Sequence, residues 1–157
     1  MQIVLFEPEI PPNTGNVARL CAATSTNLHL IKPLGFSLAD RYLKRAGLDY
    51  WEHVNMQVWE NFDDFLKELK TEAGANLRLV ASSARQGLPL HEFEFKEDDI
   101  LLFGPETRGL PPEILLHAEH HIRIPIKDTV RSLNLSTATG IVLYQALFSS
   151  GKIKDLL

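Results

Sequence analysis

Short apolar runs alternate along the chain with stretches of helical period, which predicts a mostly parallel β-sheet flanked by helices, an α/β fold. The strands are expected at Ile3–Phe6, Leu28–Ile31, around Met56–Trp59, Leu77–Ala81, Ile100–Phe103 and His121–Ile124. Between them, Asn13 or Thr14 is expected to cap a helix that carries Val17, Leu20 and Cys21 on one face. Ala39 to Ala46 and Phe62 to Leu69 read as two more helices. The last, Ser136 to Phe148, repeats Ala138, Val142 and Ala146 at i,i+4 spacing. No repeat, linker or low-complexity tract interrupts this order, so one domain spanning residues 1–157 is expected, large enough for its own core.

Composition narrows the class. A single cysteine, Cys21, rules out an internal disulfide framework and a multi-cysteine zinc site. No apolar run approaches the ~18 to 20 residues that span a bilayer, and the opening MQIVLFEPEI has no basic leader region. A soluble, cytoplasmic protein without a membrane partner is expected. The net charge is −4, yet residues 59–100 hold the whole deficit, with five basic and ten acidic side chains. Residues 101–157 carry six basic and five acidic ones, so a nucleic-acid partner remains open to local patches.

Three loops have unusual composition for connectors: 7–16, 104–109 and 125–136. Each follows an expected strand, and in open α/β sheets ligands bind outside the carboxyl ends of strands. GxGxxG after the first strand, GxxxxGK[ST], GxSxG and HExxH are all missing, which argues against dinucleotide dehydrogenases, P-loop NTPases, α/β-hydrolases and zincins. His117 and His121 have the spacing of a helical metal pair, but no cysteine accompanies them and the segment turns into a strand. No metal is expected.

Within the first loop, Asn13-Thr14-Gly15-Asn16-Val17-Ala18-Arg19 reads as a turn entering a helix. In the second, Phe103-Gly104-Pro105-Glu106-Thr107-Arg108-Gly109-Leu110 ends an apolar strand in a turn bracketed by glycines. In the third, Arg131-Ser132-Leu133-Asn134-Leu135-Ser136-Thr137 places hydroxyls and an amide just before the last helix. Each alone is accounted for by capping or a surface ion pair. Together, in this order, they resemble the three motifs of the SPOUT superfamily of methyltransferases. EPEIPPNTGNVARLCAAT, RAGLDYWEH, FGPETRGLP and RSLNLS further resemble its tRNA (cytidine/uridine 2'-O) wobble methyltransferase group, over essentially the entire chain.

The resemblance implies a minimal SPOUT domain without an appended RNA-binding domain, a deep trefoil knot in the carboxyl-terminal part, and a homodimer. It implies S-adenosylmethionine (AdoMet) as methyl donor, held by Ser82, Gly104, Glu106, Ile124, Ser132, Leu133 and Asn134. Apolar side chains and backbone polar groups at such loops suit a purine, and Glu106 suits loop tethering better than contact with the methyl group. One departure is visible. Where relatives have a Thr-Thr-Lys-Gly-like run, this chain reads Ser82-Ser83-Ala84-Arg85-Gln86-Gly87, longer before its glycine.

The implied reaction is methyl transfer to a ribose 2'-hydroxyl at the wobble nucleotide of tRNA, with leucine tRNAs the expected substrates and the anticodon loop the partner. Arg19 is the implied catalytic residue. A guanidinium has no lone pair to take a proton, so its expected role is to hold a phosphate or stabilise developing alkoxide, from its own or the partner subunit. Arg41, Lys44, Arg45, Arg108, Arg131 and Tyr144 are the RNA-binding candidates, Tyr144 alternatively lining the dimer interface, with Arg123 and Lys127 beside them and Tyr50 or Trp51 as stacking platforms. Two other readings stay open: the same chemistry on another RNA such as rRNA, and an AdoMet- or RNA-binding module without catalysis.

Overall fold

The computed structural model describes residues 1–39, 53–73 and 77–157. Among the described residues, seven strands form one sheet: β1 (Gln2–Phe6), β2 (Asn27–Ile31), β3 (Met56–Trp59), β4 (Leu79–Ser83), β5 (Leu88–Pro89), β6 (Ile100–Phe103) and β7 (His120–Arg123). Their order is β3-β2-β1-β6-β4-β7-β5 and every pairing is parallel. The helices among the described residues include α1 (Pro11–Thr24), α2 (Phe62–Ala73), α3 (Pro112–Leu115) and α4 (Leu135–Ser149), with 3-10 turns at Leu90–Glu92 and Lys152–Leu156.

Both faces of the sheet are covered, which is why its central strands are apolar at consecutive positions. Ile3, Leu5, Leu101 and Phe103 point to one side and pack with Val17 and Cys21 of α1 and Val142, Leu143 and Ala146 of α4. Val4, Phe6, Ile100 and Leu102 point to the other and meet Phe62, Phe65, Leu66 and Leu69 of α2. Burial pushes the Cys21 thiol up to about 12, so it is an unreactive core side chain.

Most expected strands lie where the apolar runs place them. The fourth is shifted to Leu79–Ser83, because its position between β6 and β7 carries the ladder past the last apolar residue: Ser82 is in register with both Phe103 and Ile122. The two-residue β5 has no legible period, and its proline is tolerated at the sheet edge. The expected helix over Ala39–Ala46 falls mostly outside the described residues.

The start of α1 corrects the sequence reading. Neither Asn13 nor Thr14 caps it; the helix begins at Pro11, with Ile10, three residues before Asn13, in the capping position and no side-chain cap of its own. Two prolines in the first turn lack the N–H groups a cap would have to satisfy. Asn134, in contrast, caps α4, its Oδ1 accepting from the N–H groups of Ser136 at 2.9 Å and Thr137 at 3.3 Å.

The chain leaves β1 toward β2 on one side of the sheet, whereas β6, paired beside β1, is followed by a connection past β4 to β7. The loops after β1 and β6 therefore face each other at a topological switch point, where open sheets leave a crevice.

Candidate active site

A cavity of about 870 Å³ lies beyond the carboxyl ends of β4, β6 and β7. Ser82, Gly104, Glu106, Ile124, Ser132, Leu133 and Asn134 all line it, as do Arg108 and Arg131. The three loops singled out by composition thus converge on one volume. Arg19 and Tyr144 lie elsewhere, exposed on α1 and α4. Arg41, Lys44, Arg45, Tyr50 and Trp51 fall outside the described residues.

The loops are bound by a continuous set of hydrogen bonds. The Glu106 carboxylate accepts from the Glu9 N–H at 2.8 Å, the Ile10 N–H at 3.2 Å and Asn13 Nδ2 at 3.0 Å. It so supplies in trans the anion that α1 lacks at its amino end, where the helix dipole favours negative charge. Asn13 Oδ1 in turn accepts from Asn134 Nδ2 at 2.8 Å. Asn13 is therefore the link between second and third motifs, a role its own neighbours in sequence do not reveal.

A second set runs alongside. The Glu9 carboxylate accepts from the Thr107 N–H at 3.0 Å and from Thr107 Oγ1 at 2.9 Å, so Glu9 and the 104–109 loop hold each other reciprocally. Arg131 Nη2 donates to the Thr107 carbonyl at 2.9 Å. Arg108 pairs with Glu7, whose backbone sits at a left-handed φ of 47° where β1 turns into its loop. Both arginines read as RNA ligands thus have tethers within the site.

Gly104 is required by the loop itself. A Cβ at this position would lie 2.3 Å from the Leu110 amide nitrogen and 2.5 Å from the Gly109 carbonyl carbon, so only glycine lets the 104–110 loop close on itself. Gly109 completes the turn at φ +70°, its N–H donating to the Pro105 carbonyl at 3.0 Å.

The histidines have packing roles. His121 Nε2 lies 3.1 Å from the Leu115 carbonyl, His117 packs edge-on to Phe62 and His120 to Phe93. Among the described residues, no three His, Cys, Asp or Glu side chains are grouped as metal ligands would be.

A model of the SpoU rRNA Methylase family matches residues 1–144. The chain belongs to this family. Among its SpoU relatives, a tRNA (cytidine(34)-2'-O)-methyltransferase of Methylovorus glucosotrophus is 51% identical over 146 residues, covering 92% of each chain. A structure solved for insight into the 2-OH methylation of C/U34 on tRNA superposes with a TM-score of 0.89 at 48% identity, covering 96% of both chains. An AdoMet-bound rRNA methyltransferase from Sinorhizobium meliloti superposes with a TM-score of 0.83 at 26% identity, over 94% of this chain and 55% of that one. The parallel sheet with helices on both faces is the fold these SpoU proteins share.

The cavity fits the donor that the superfamily resemblance implies. Its volume is in the range that encloses a nucleoside-sized ligand, and it offers Phe103, Ile124 and Leu133 beside polar backbone and side chains. Among the described residues, its one carboxylate, Glu106, already accepts three hydrogen bonds from the protein, whereas three guanidiniums, Arg85, Arg108 and Arg131, stand on its walls. Such a lining suits a ligand carrying an anionic group. Asn13 and Arg85 line the cavity too, beyond the cofactor residues that the resemblance implies.

Proposed function

We propose that this chain is an AdoMet-dependent methyltransferase acting on the ribose 2'-hydroxyl of the wobble nucleotide of tRNA, cytidine or uridine at position 34, with leucine tRNAs as substrates. The observation that carries the proposal is the convergence of all three motif loops on one donor-sized cavity, in a chain about half identical to relatives that bear this activity's name.

When bound, AdoMet would supply an electrophilic methyl group, passed to a ribose oxygen as the carbon–sulfur bond breaks and S-adenosylhomocysteine leaves as a neutral thioether. Ile124 and Leu133 form the apolar slot for its adenine, with Ser82, Ser132 and the loop backbone at the polar edges. Glu106 and Asn134 act as positioning residues, since their polar atoms tie α1, the 104–109 loop and α4 into one frame. Arg19, exposed on α1, fixes the phosphate beside the target ribose or stabilises negative charge on its oxygen; the proton leaves to phosphate or water. Arg41, Lys44 and Arg45 hold the anticodon loop, while Arg108 and Arg131, tethered to Glu7 and to the Thr107 carbonyl, add positive charge that draws it toward the cavity mouth.

The proposal includes a homodimer. Ile141, Tyr144 and Phe148 stand on one exposed face of α4, 40%, 47% and 70% accessible, although this helix is apolar around its circumference. A helix of that kind covers all its faces, and a second copy of the chain covers this one. The knot that the superfamily resemblance implies in the carboxyl-terminal part belongs to the proposal as well. A single domain working in the cytoplasm completes it. Among the described residues no helix is long and apolar enough to cross a membrane.

A second reading, the same chemistry on rRNA, draws support from the rRNA activity named for the family and for the S. meliloti relative. Incubating the purified protein with methyl-labelled AdoMet and, separately, bulk tRNA and rRNA distinguishes the two. The proposal expects label in tRNA; label in rRNA alone, or in neither, contradicts it.

A further inference from the structure

We infer that Arg85 is the residue that recognises the carboxylate at the amino-acid end of the methyl donor, taking it in exchange for Asp128. The inference rests on the donor site proposed above.

The loop after β4 is built to present this side chain. Ser83 Oγ accepts from the backbone N–H groups of Arg85 at 3.3 Å and Gln86 at 3.1 Å, which closes the turn at one end. At the other, the Gly87 carbonyl accepts from Arg123 Nε at 3.2 Å, and Gly87, at φ +102°, packs so tightly on β7 that a Cβ would lie 2.4 Å from the His121 carbonyl. Arg85 is thus held on the cavity wall by a loop pinned at both ends.

Of the three guanidiniums on the lining, Arg85 is the one whose partners are easily exchanged. Arg108 is committed to Glu7 and Arg131 to the Thr107 carbonyl, both inside the loop framework. Arg85 reaches across to the 125–131 segment, with Nη1 3.5 Å from Asp128 Oδ1 and Nη2 3.3 Å from the Val130 carbonyl. Its side chain is 52% exposed and that of Asp128 fully exposed. A pair this long and this open to water is held weakly. The Asp128 carboxylate marks a direction from which Arg85 accepts an anion of the same kind, and the fork geometry of a guanidinium favours carboxylate over a point-charge partner. A place on the cavity lining favours the donor over an RNA phosphate as that anion.

The test compares two ligands by calorimetry on the intact protein: S-adenosylhomocysteine, which has the amino-acid end, and methylthioadenosine, which lacks it. Arg85→Met is expected to weaken S-adenosylhomocysteine binding roughly tenfold or more while leaving methylthioadenosine within about twofold. Methylthioadenosine binding doubles as the check that the variant is folded. Arg85→Lys, which keeps the charge but not the fork, should restore only part of the loss, and Asp128→Asn, which removes the internal competitor, should not weaken either ligand. An unchanged ratio of the two affinities in Arg85→Met, or a defect confined to the apparent KM for tRNA, overturns the inference and leaves the donor site standing. No binding of either ligand to the unaltered protein overturns the donor site and this inference together.

Discussion

Asn13 and Asn134 meet side chain to side chain at 2.8 Å across 121 residues of sequence, Nδ2 of the second donating to Oδ1 of the first. The same Asn134 caps α4 through its oxygen, so one amide joins the helix that ends the third motif to the loop that begins the first.

These two duties can be separated. Asn134→Ala loses both, and a cost of about 1–2 kcal/mol from the cap alone is expected. Asn134→Asp keeps the capping oxygen but places a carboxylate against the Asn13 carbonyl oxygen. Urea denaturation should therefore find the aspartate variant less destabilised than the alanine variant, while S-adenosylhomocysteine binding is weakened in both. Tight binding by Asn134→Asp would mean that the link to Asn13 does not shape the cavity.

Gly104→Ala is expected to displace the 104–110 loop, since its Cβ meets backbone 2.3 Å away and backbone cannot step aside as a side-chain tip can. Thermal unfolding should shift downward by several degrees, as a loss of about 1–3 kcal/mol implies, and donor binding should be lost. A fully stable, donor-binding variant would contradict the steric account.

His29 makes stability depend on pH. It is buried between Trp59 and Phe65; the Trp59 indole N–H donates to its Nδ1 at 3.1 Å, so Nε2 carries the proton and donates to Gln2 Oε1 at 2.7 Å. Burial holds its pKa at about 4, well below the ordinary 6.5. The unfolded chain takes up the proton first, so the stability from neutral His29 is fully present above about pH 6.5 and is lost as pH falls toward 4. The full loss is on the order of 3 kcal/mol. Urea midpoints at pH 7 and pH 4.5 should differ more for the parent chain than for His29→Gln; equal differences would contradict this assignment.

The exposed face of α4 sets an expectation for assembly. Ile141→Glu with Phe148→Glu should yield a monomer in sedimentation equilibrium at micromolar concentration, with far-ultraviolet circular dichroism of the folded chain, because buried charge disfavours the contact while both side chains are open to solvent in the single subunit. A dimer that persists would place the interface elsewhere.

Arg19→Lys keeps the charge but loses the planar fork. At least a tenfold fall in turnover with near-normal tRNA and donor binding is expected, and Arg19→Ala should lose about a hundredfold or more. Near-normal turnover of the lysine variant would make the guanidinium geometry unnecessary.

Local pattern carried much of this fold, because strands buried on both faces must be apolar at successive positions, as Ile3–Phe6 and Ile100–Phe103 are. Where identity is decided by distant partners, pattern is silent. Asn13 looks like a helix cap until Glu106, 93 residues away, is seen to hold it. The adjacent Pro11 and Pro12 were the available signal that α1 begins earlier. The motif loops were legible from composition, and their lining of one cavity follows from the switch point between β1 and β6. Arg85 was not, since nothing in a serine-rich turn distinguishes a surface cation from one fixed on a cavity wall.

The central claim is tested most directly by digesting leucine tRNAs, incubated with this protein and AdoMet, and locating the added methyl by mass spectrometry. The account predicts a 2'-O-methyl group on nucleotide 34, dependent on Arg19. A methyl group on a base, on another nucleotide, or no methyl at all would contradict it.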